Sequence, residues 1–210
     1  MITHFLILPI VIWGAVVLGG LIFGAAISGM FKDPKRNKLG VLGMQFSGKT
    51  LFLNFLQGFD YTERATGRED YNEFRFKTST GKEILIAKGE DYGGSKEYRT
   101  FYKTVVDRSD VLFFFLDISK YLNDVDYKRD CNSRFLFIDS LRIDSKTQEK
   151  KEVIVVATHR DLCSLSDSDI QKSFLKEVEN KTYIKMVEKI VFINLHDKTL
   201  TKKFINKVFN

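Results

Sequence analysis

The stretch Gly43-Met44-Gln45-Phe46-Ser47-Gly48-Lys49-Thr50 lies between two apolar runs, "KLGVL" before it and "TLFLNFLQGF" after it. It fits the pattern GxxxxGK[ST] at every fixed position. Successive backbone N–H groups can wrap a chain of phosphates only where side chains stay out of the way, hence a glycine at each end of the turn. The first run predicts a buried strand and the second a helix whose partly positive N-terminus faces the phosphates. Lys49 is expected along the β- and γ-phosphates, and the Thr50 hydroxyl on magnesium. Gly43, Gln45, Phe46, Ser47, Gly48 and Leu51 complete the expected cradle.

The rest of the chain supplies elements that suit such a loop. "NEFRFKTS" and "KEILIAKGE" predict two strands joined through "TSTGK". "VLFFFLD", "VIVVAT" and "IVFINL" are the apolar runs found in strands covered on both faces. Between them lie helical stripes: Tyr98, Phe101, Tyr102, Val105 and Val106; Ile170, Phe174, Leu175 and Val178; Leu200, Phe204, Ile205 and Val208. The expected fold class is α/β, a mostly parallel sheet with helices on both faces. A chain of 210 residues has room for one such domain and a membrane segment.

That membrane segment is expected over residues 5–31, "FLILPIVIWGAVVLGGLIFGAAISGMF", which carry no charge. Roughly 20 apolar residues suffice to cross a bilayer as a helix. Only Met1 to His4 precede it, with no basic residue, which favours a retained anchor over a cleaved leader. Gly20 and Gly24 form a GxxxG, extended by Ser28, and Ala15/Gly19 and Ala25/Gly29 repeat the small-residue spacing, which allows a homodimer through a small-xxx-small helix face. Glycine is common in membrane helices in any case. Asp33-Pro34 ends the helix, residues 32–38 form a basic tether, and the nucleotide domain is expected over 39–210.

The net charge of +6 is concentrated, since Lys32, Lys35, Arg36 and Lys38 against Asp33 supply half of it. Basic residues just after the span place the remainder in the cytoplasm of a single-pass protein. The near-balance beyond residue 38 gives no nucleic-acid footprint. Cys131 and Cys163 have neither zinc-site nor disulfide spacing.

Ligands of open α/β sheets sit at the carboxyl ends of strands, which selects two further stations. In "IAKGEDYGG", Asp91 and Gly94 have the spacing DxxG; the carboxylate would hold magnesium through water and the Gly94 amide would meet a γ-phosphate. In "VIVVATHRDL", Thr158-His159-Arg160-Asp161 ends a strand. A carboxylate there accepts from N1–H and the exocyclic amine of guanine, so Asp161 argues for GTP over ATP.

In this order the phosphate loop, DxxG and the Thr158–Asp161 motif resemble the first, third and fourth boxes of the Ras/Arf-like small GTPases, over roughly Lys38 to Asn210. The membrane segment joined to "GMQFSGKTLF" is similar to the β subunit of the signal-recognition-particle receptor. The resemblance implies bound GTP or GDP with Mg2+, and a protein effector or activator. It implies a second magnesium ligand from the first switch: Thr62 and Thr66 are available, and Thr66 stands near the family spacing from Lys49. It also implies a base contact from a fifth box, at whose place stand Asn194, Leu195 and His196.

The chain departs from that family at two places. His159 replaces the lysine that lies over the base. Ser95 replaces the glutamine that orients the attacking water, which leaves Lys49, Gly94 and Ser95 as catalytic candidates and predicts slow hydrolysis. Gln45 or a partner could supply the missing group. Arg64 and Arg68 flank the switch threonine and face either phosphate or water. Three functions remain in view: a membrane-anchored GTP-binding switch, a constitutively nucleotide-bound receptor or scaffold subunit, and, were Asp161 accidental, an ATPase.

Overall fold

The computed structural model describes residues 16–18, 21–23, 37–59, 67–143 and 150–209. The strands are β1 (Val16–Leu18), β2 (Leu21–Phe23), β3 (Leu39–Gly43), β4 (Arg68–Tyr71), β5 (Phe74–Lys77), β6 (Glu83–Ile86), β7 (Gly89–Tyr92), β8 (Val111–Asp117), β9 (Val153–Thr158) and β10 (Val191–Phe192). The α-helices are α1 (Lys49–Gln57), α2 (Tyr102–Arg108), α3 (Ile118–Asn123), α4 (Val125–Leu141), α5 (Asp167–Val178), α6 (Ile184–Val187) and α7 (Lys198–Phe209). Short 3-10 helices cover Lys96–Phe101 and Arg160–Leu162.

A four-stranded parallel sheet in the order β10-β9-β8-β3 is the centre of the molecule. Every residue of β8 and β9 is buried, as expected of strands covered on both faces. Alternation along each strand divides the core in two. Leu42, Phe114, Leu116 and Val155 face Tyr102 and Val105 of α2, Phe135 of α4 and Phe174 of α5. Val41, Phe113, Phe115 and Val156 face Phe52 of α1 and Phe204 and Val208 of α7.

Beyond β3 lies an antiparallel ribbon. β4 pairs with β7 and β5 with β6 in one continuous register, Tyr71 opposite Gly89 and Phe74 opposite Ile86. Its turn is the predicted one, closed by Thr78 N–H on the Lys82 carbonyl at 2.9 Å, with Gly81 at φ 84°. Asn37 clips the ribbon to the sheet: its N–H donates to the Leu85 carbonyl at 2.9 Å, and Ala87 N–H donates to the Asn37 carbonyl at 2.8 Å.

Of the membrane segment expected over 5–31, only six residues are described; they form β1 and β2, paired antiparallel. Val16, Val17 and Ile22 are β-branched, which favours extended backbone. Among the described residues no helix is long and apolar enough to cross a membrane; the rest of that span lies outside them. The tether stops before residue 37, because Asn37 is bonded into the ribbon and Lys38 N–H donates to Asp110 at 2.8 Å. The stripe from Tyr98 opens as a 3-10 turn and becomes α-helical only at Tyr102. β4 and α4 are unforeseen. β4 is the charged sequence "REDY". The buried face of α4 contains Arg134 and Cys131 while Val125 and Leu136 are exposed, so no clean apolar stripe marks it.

Candidate functional site

β3 delivers Gly43 to the sheet's carboxyl edge. At φ 145° it lies so close to β8 that a Cβ would come within 2.2 Å of the Phe115 carbonyl oxygen, and Met44 N–H donates to that oxygen at 2.9 Å. The loop then curls through Phe46 at φ 56° and Gly48 at φ 83°, the left-handed region where glycine is at ease and phenylalanine is not. Gln45 and Phe46 are exposed, and the Lys120 ammonium stands 5.9 Å from the Phe46 ring centroid. Ser47 is buried and its hydroxyl donates to the Met44 carbonyl at 2.7 Å. Gly48 precedes α1 without a side-chain cap, and the first turn of the helix holds no acid. Leu51 is partly buried and packs against the α1/α7 core.

Lys49 opens α1 and is buried, with Nζ donating to the Met44 carbonyl at 2.7 Å. Burial pushes its pKa down to about 8; Asp91 pulls it up and the nearby charge of Arg134 pushes it further down. The Thr50 hydroxyl donates to Asp91 Oδ2 at 2.6 Å. Burial raises the Asp91 pKa, against the Thr50 hydrogen bond and the attraction of Lys49. Asp91 Oδ1 is buried with no partner among the described residues, a condition that costs about 1–3 kcal/mol. A cation or its bound water satisfies such an oxygen, so Thr50 and Asp91 fit Mg2+. A cleft of about 540 Å3 adjoins them, with Asn54, Gln57, Glu69 and Asp70 also in its walls. Its acidic lining suits a cation, whereas the Lys49 side of the loop suits an anion.

The DxxG turn rests directly on the loop. A Cβ on Gly94 would fall 2.1 Å from the Met44 carbonyl carbon and 2.2 Å from the Gln45 nitrogen. Gly93 N–H donates to the Gly67 carbonyl at 2.6 Å, which ties this turn to the residue that follows Thr66 in sequence. Ser95 precedes the 3-10 helix, and its hydroxyl group holds the Glu97 carboxyl below its ordinary range. Thr62, Arg64 and Thr66 lie outside the described residues. Arg68 does not serve the loop, because it pairs with Glu90, which also takes Arg108 and, at 2.8 Å, the Tyr92 hydroxyl.

At the other end, the Thr158 hydroxyl lies 3.1 Å from the Ser47 carbonyl oxygen, 3.0 Å from that of Leu116 and 2.8 Å from His159 Nδ1. His159 adopts φ 57°, and its Nδ1 lies 3.8 Å from the buried carboxylate of Asp117. Arg160 points away from the site: it pairs with Asp167 and donates to the carbonyls of Cys163 at 3.0 Å and Leu165 at 2.7 Å. Asp161 is left exposed. Leu195 is buried against the loop, its Cδ1 only 2.7 Å from where a Cβ on Gly48 would be.

The structure thus gathers Gly43 to Thr50, Asp91, Gly94, Thr158 and Leu195 at one edge, and adds three residues that were not foreseen. Asp117 ends the recognised strand run "VLFFFLD", a signal that was available. Tyr102 looked like core, and Arg134 sits on the unpredicted helix.

No protein-family profile matches the chain, and no curated protein matches it in sequence. Among solved structures it is similar to the Arl6 (BBS3) small GTPase from Trypanosoma brucei, determined with the bound nucleotide analogue GppNp. The TM-score is 0.54 at 15% identity, over 84% of this chain and 100% of that one. The chain has the fold of that small GTPase.

Proposed function

We propose that the protein binds GTP or GDP with Mg2+ and acts as a slowly hydrolysing molecular switch. The observation that carries the reading is the Thr50–Asp91 hydrogen bond with its orphaned Oδ1, beside a buried Lys49 in a GxxxxGK turn. Loop N–H groups and Lys49 hold the β- and γ-phosphates; Thr50 and Asp91 hold the cation, which draws charge from the phosphate oxygens when bound. Thr66 is favoured over Thr62 as a further cation ligand, because it immediately precedes Gly67, which is bonded to Gly93. Exposed Asp161 selects guanine, with His159 beside the ring and Leu195 closing the pocket. The Gly94 amide meets the γ-phosphate, and its loss releases the segments around Thr66 and Asp91.

Ser95 is too short to orient a water unaided, so turnover is slow and a protein activator accelerates it. The apolar stretch 5–31, followed by basic residues, supports a single-pass anchor that keeps residues 39–210 in the cytoplasm, with a homodimer through its small-residue face. The full chain, in mild detergent, should bind GTP in preference to ATP and lose binding on Lys49→Ala. Equal affinity for the two nucleotides, or binding indifferent to that substitution, refutes the proposal.

Ser95, standing where the resembled GTPases have a water-orienting glutamine, supports a second reading, a protein-targeting receptor or scaffold subunit that keeps its GTP intact. Single-turnover phosphate release separates the two: a switch releases phosphate, at the latest when a membrane extract is added, and a scaffold does not.

A further inference from the structure

A second buried cation lies beneath the phosphate loop. Arg134 on α4 is 1% exposed. Asp130, one turn earlier, accepts from its Nε at 3.2 Å and its Nη2 at 3.0 Å. The remaining nitrogen, Nη1, donates to the Gly43 carbonyl at 3.2 Å and to the Tyr102 hydroxyl at 2.9 Å. A guanidinium is costly to bury, and an aliphatic side chain fills such a place without that cost, so what the group holds is the reason to look for its role.

What it holds is the first peptide plane of the loop. The carbonyl of Gly43 points at Arg134, while the N–H of the same plane, on Met44, donates to Phe115 at 2.9 Å. The next carbonyl, Met44, takes Lys49 Nζ and the Ser47 hydroxyl, each at 2.7 Å. Displacement of the Gly43–Met44 plane shifts the Met44 Cα and, through it, the Met44 carbonyl to which the Lys49 ammonium is bonded. We infer that Arg134 is a positioning residue for phosphate binding: from the side opposite the ligand it locks the Gly43 carbonyl and so aims Lys49. This rests on the nucleotide-binding function proposed above and adds a residue from a helix that supplies none of the other candidate site residues.

The test follows release of a fluorescent GDP analogue from the full chain with Mg2+ present, alongside the rise in melting temperature on adding GDP. A merely structural role lowers the melting temperature of the unliganded protein and leaves both readouts unchanged, because the ligand-induced rise depends on Kd. Arg134→Lys keeps the charge but has one head, which cannot serve Asp130 and Gly43 together; release should quicken at least fivefold. Arg134→Met should quicken it further, and where that variant does not fold, Arg134→Lys decides. Tyr102→Phe removes a hydroxyl that donates to the Gly43 carbonyl at 3.5 Å but keeps the shorter Arg134 bond at 3.2 Å, and should quicken release less than Arg134→Lys does. Release at the wild-type rate from Arg134→Lys, or equal acceleration by Tyr102→Phe, overturns the inference. A wild-type chain that holds no guanine nucleotide overturns the proposed function itself, a distinguishable result.

Discussion

The hydroxyl of Thr158, at the end of β9, lies 3.1 Å from the carbonyl oxygen of Ser47, so the base-side turn and the phosphate loop are directly bonded. Thr158→Val keeps the shape and removes the hydroxyl, leaving a buried carbonyl without its donor. Unfolding free energy should fall by about 1–3 kcal/mol, and bound nucleotide should leave faster. Urea denaturation and nucleotide displacement measure the two effects.

Lys49 has a pKa lowered to about 8 from an ordinary 10.5. Below about pH 8 both folded and unfolded states hold the proton, and the folded state bears the full cost of a buried ammonium. Between the two values the folded chain loses the proton while the unfolded chain keeps it, so stability of the unliganded protein rises with pH through that window. The gain should reach up to about 3 kcal/mol relative to Lys49→Met, read from denaturation at the two ends of the window. Nucleotide affinity runs the other way and weakens above about pH 8.

Asp91 holds a buried, partly unmatched carboxylate. Asp91→Asn removes the charge and keeps the shape, so the unliganded protein should melt at the same or a higher temperature. Mg2+ should then no longer tighten nucleotide binding. Melting curves with nucleotide, with and without Mg2+, give both outcomes.

Gly94 has backbone, not a flexible side chain, 2.1 Å from where a methyl group on its Cα would stand. Gly94→Ala must therefore push the DxxG turn off the loop. A destabilisation of about 1–3 kcal/mol is expected, and GTP and GDP should protect the protein equally in limited proteolysis, where the wild type should distinguish them.

The parts legible in the sequence are those with a local rule. Glycines at fixed spacing announce the phosphate loop, and the apolar runs "VLFFFLD" and "VIVVAT" announce β8 and β9 because both faces are covered. Gly94 was legible from spacing, although the reason for glycine, contact with Met44 and Gln45, is tertiary. Arg134 was not legible at all: an arginine in a helix is ordinarily solvated, and only the fold brings Gly43 and Asp130 around it. β4 was missed because "REDY" has no apolar face, and its strand state comes from pairing with β7. Asp117 was in view as a residue but not as the neighbour of His159, which depends on β8 and β9 lying side by side.

The clip at Asn37 also fixes a direction. Six residue steps separate it from Gly43, about 20 Å of extended strand. Whatever leads into residue 37 therefore enters at the pole of β3 opposite the phosphate loop. A bilayer gripped from upstream would leave the nucleotide pole turned outward, where a soluble partner can reach it without crossing the leash.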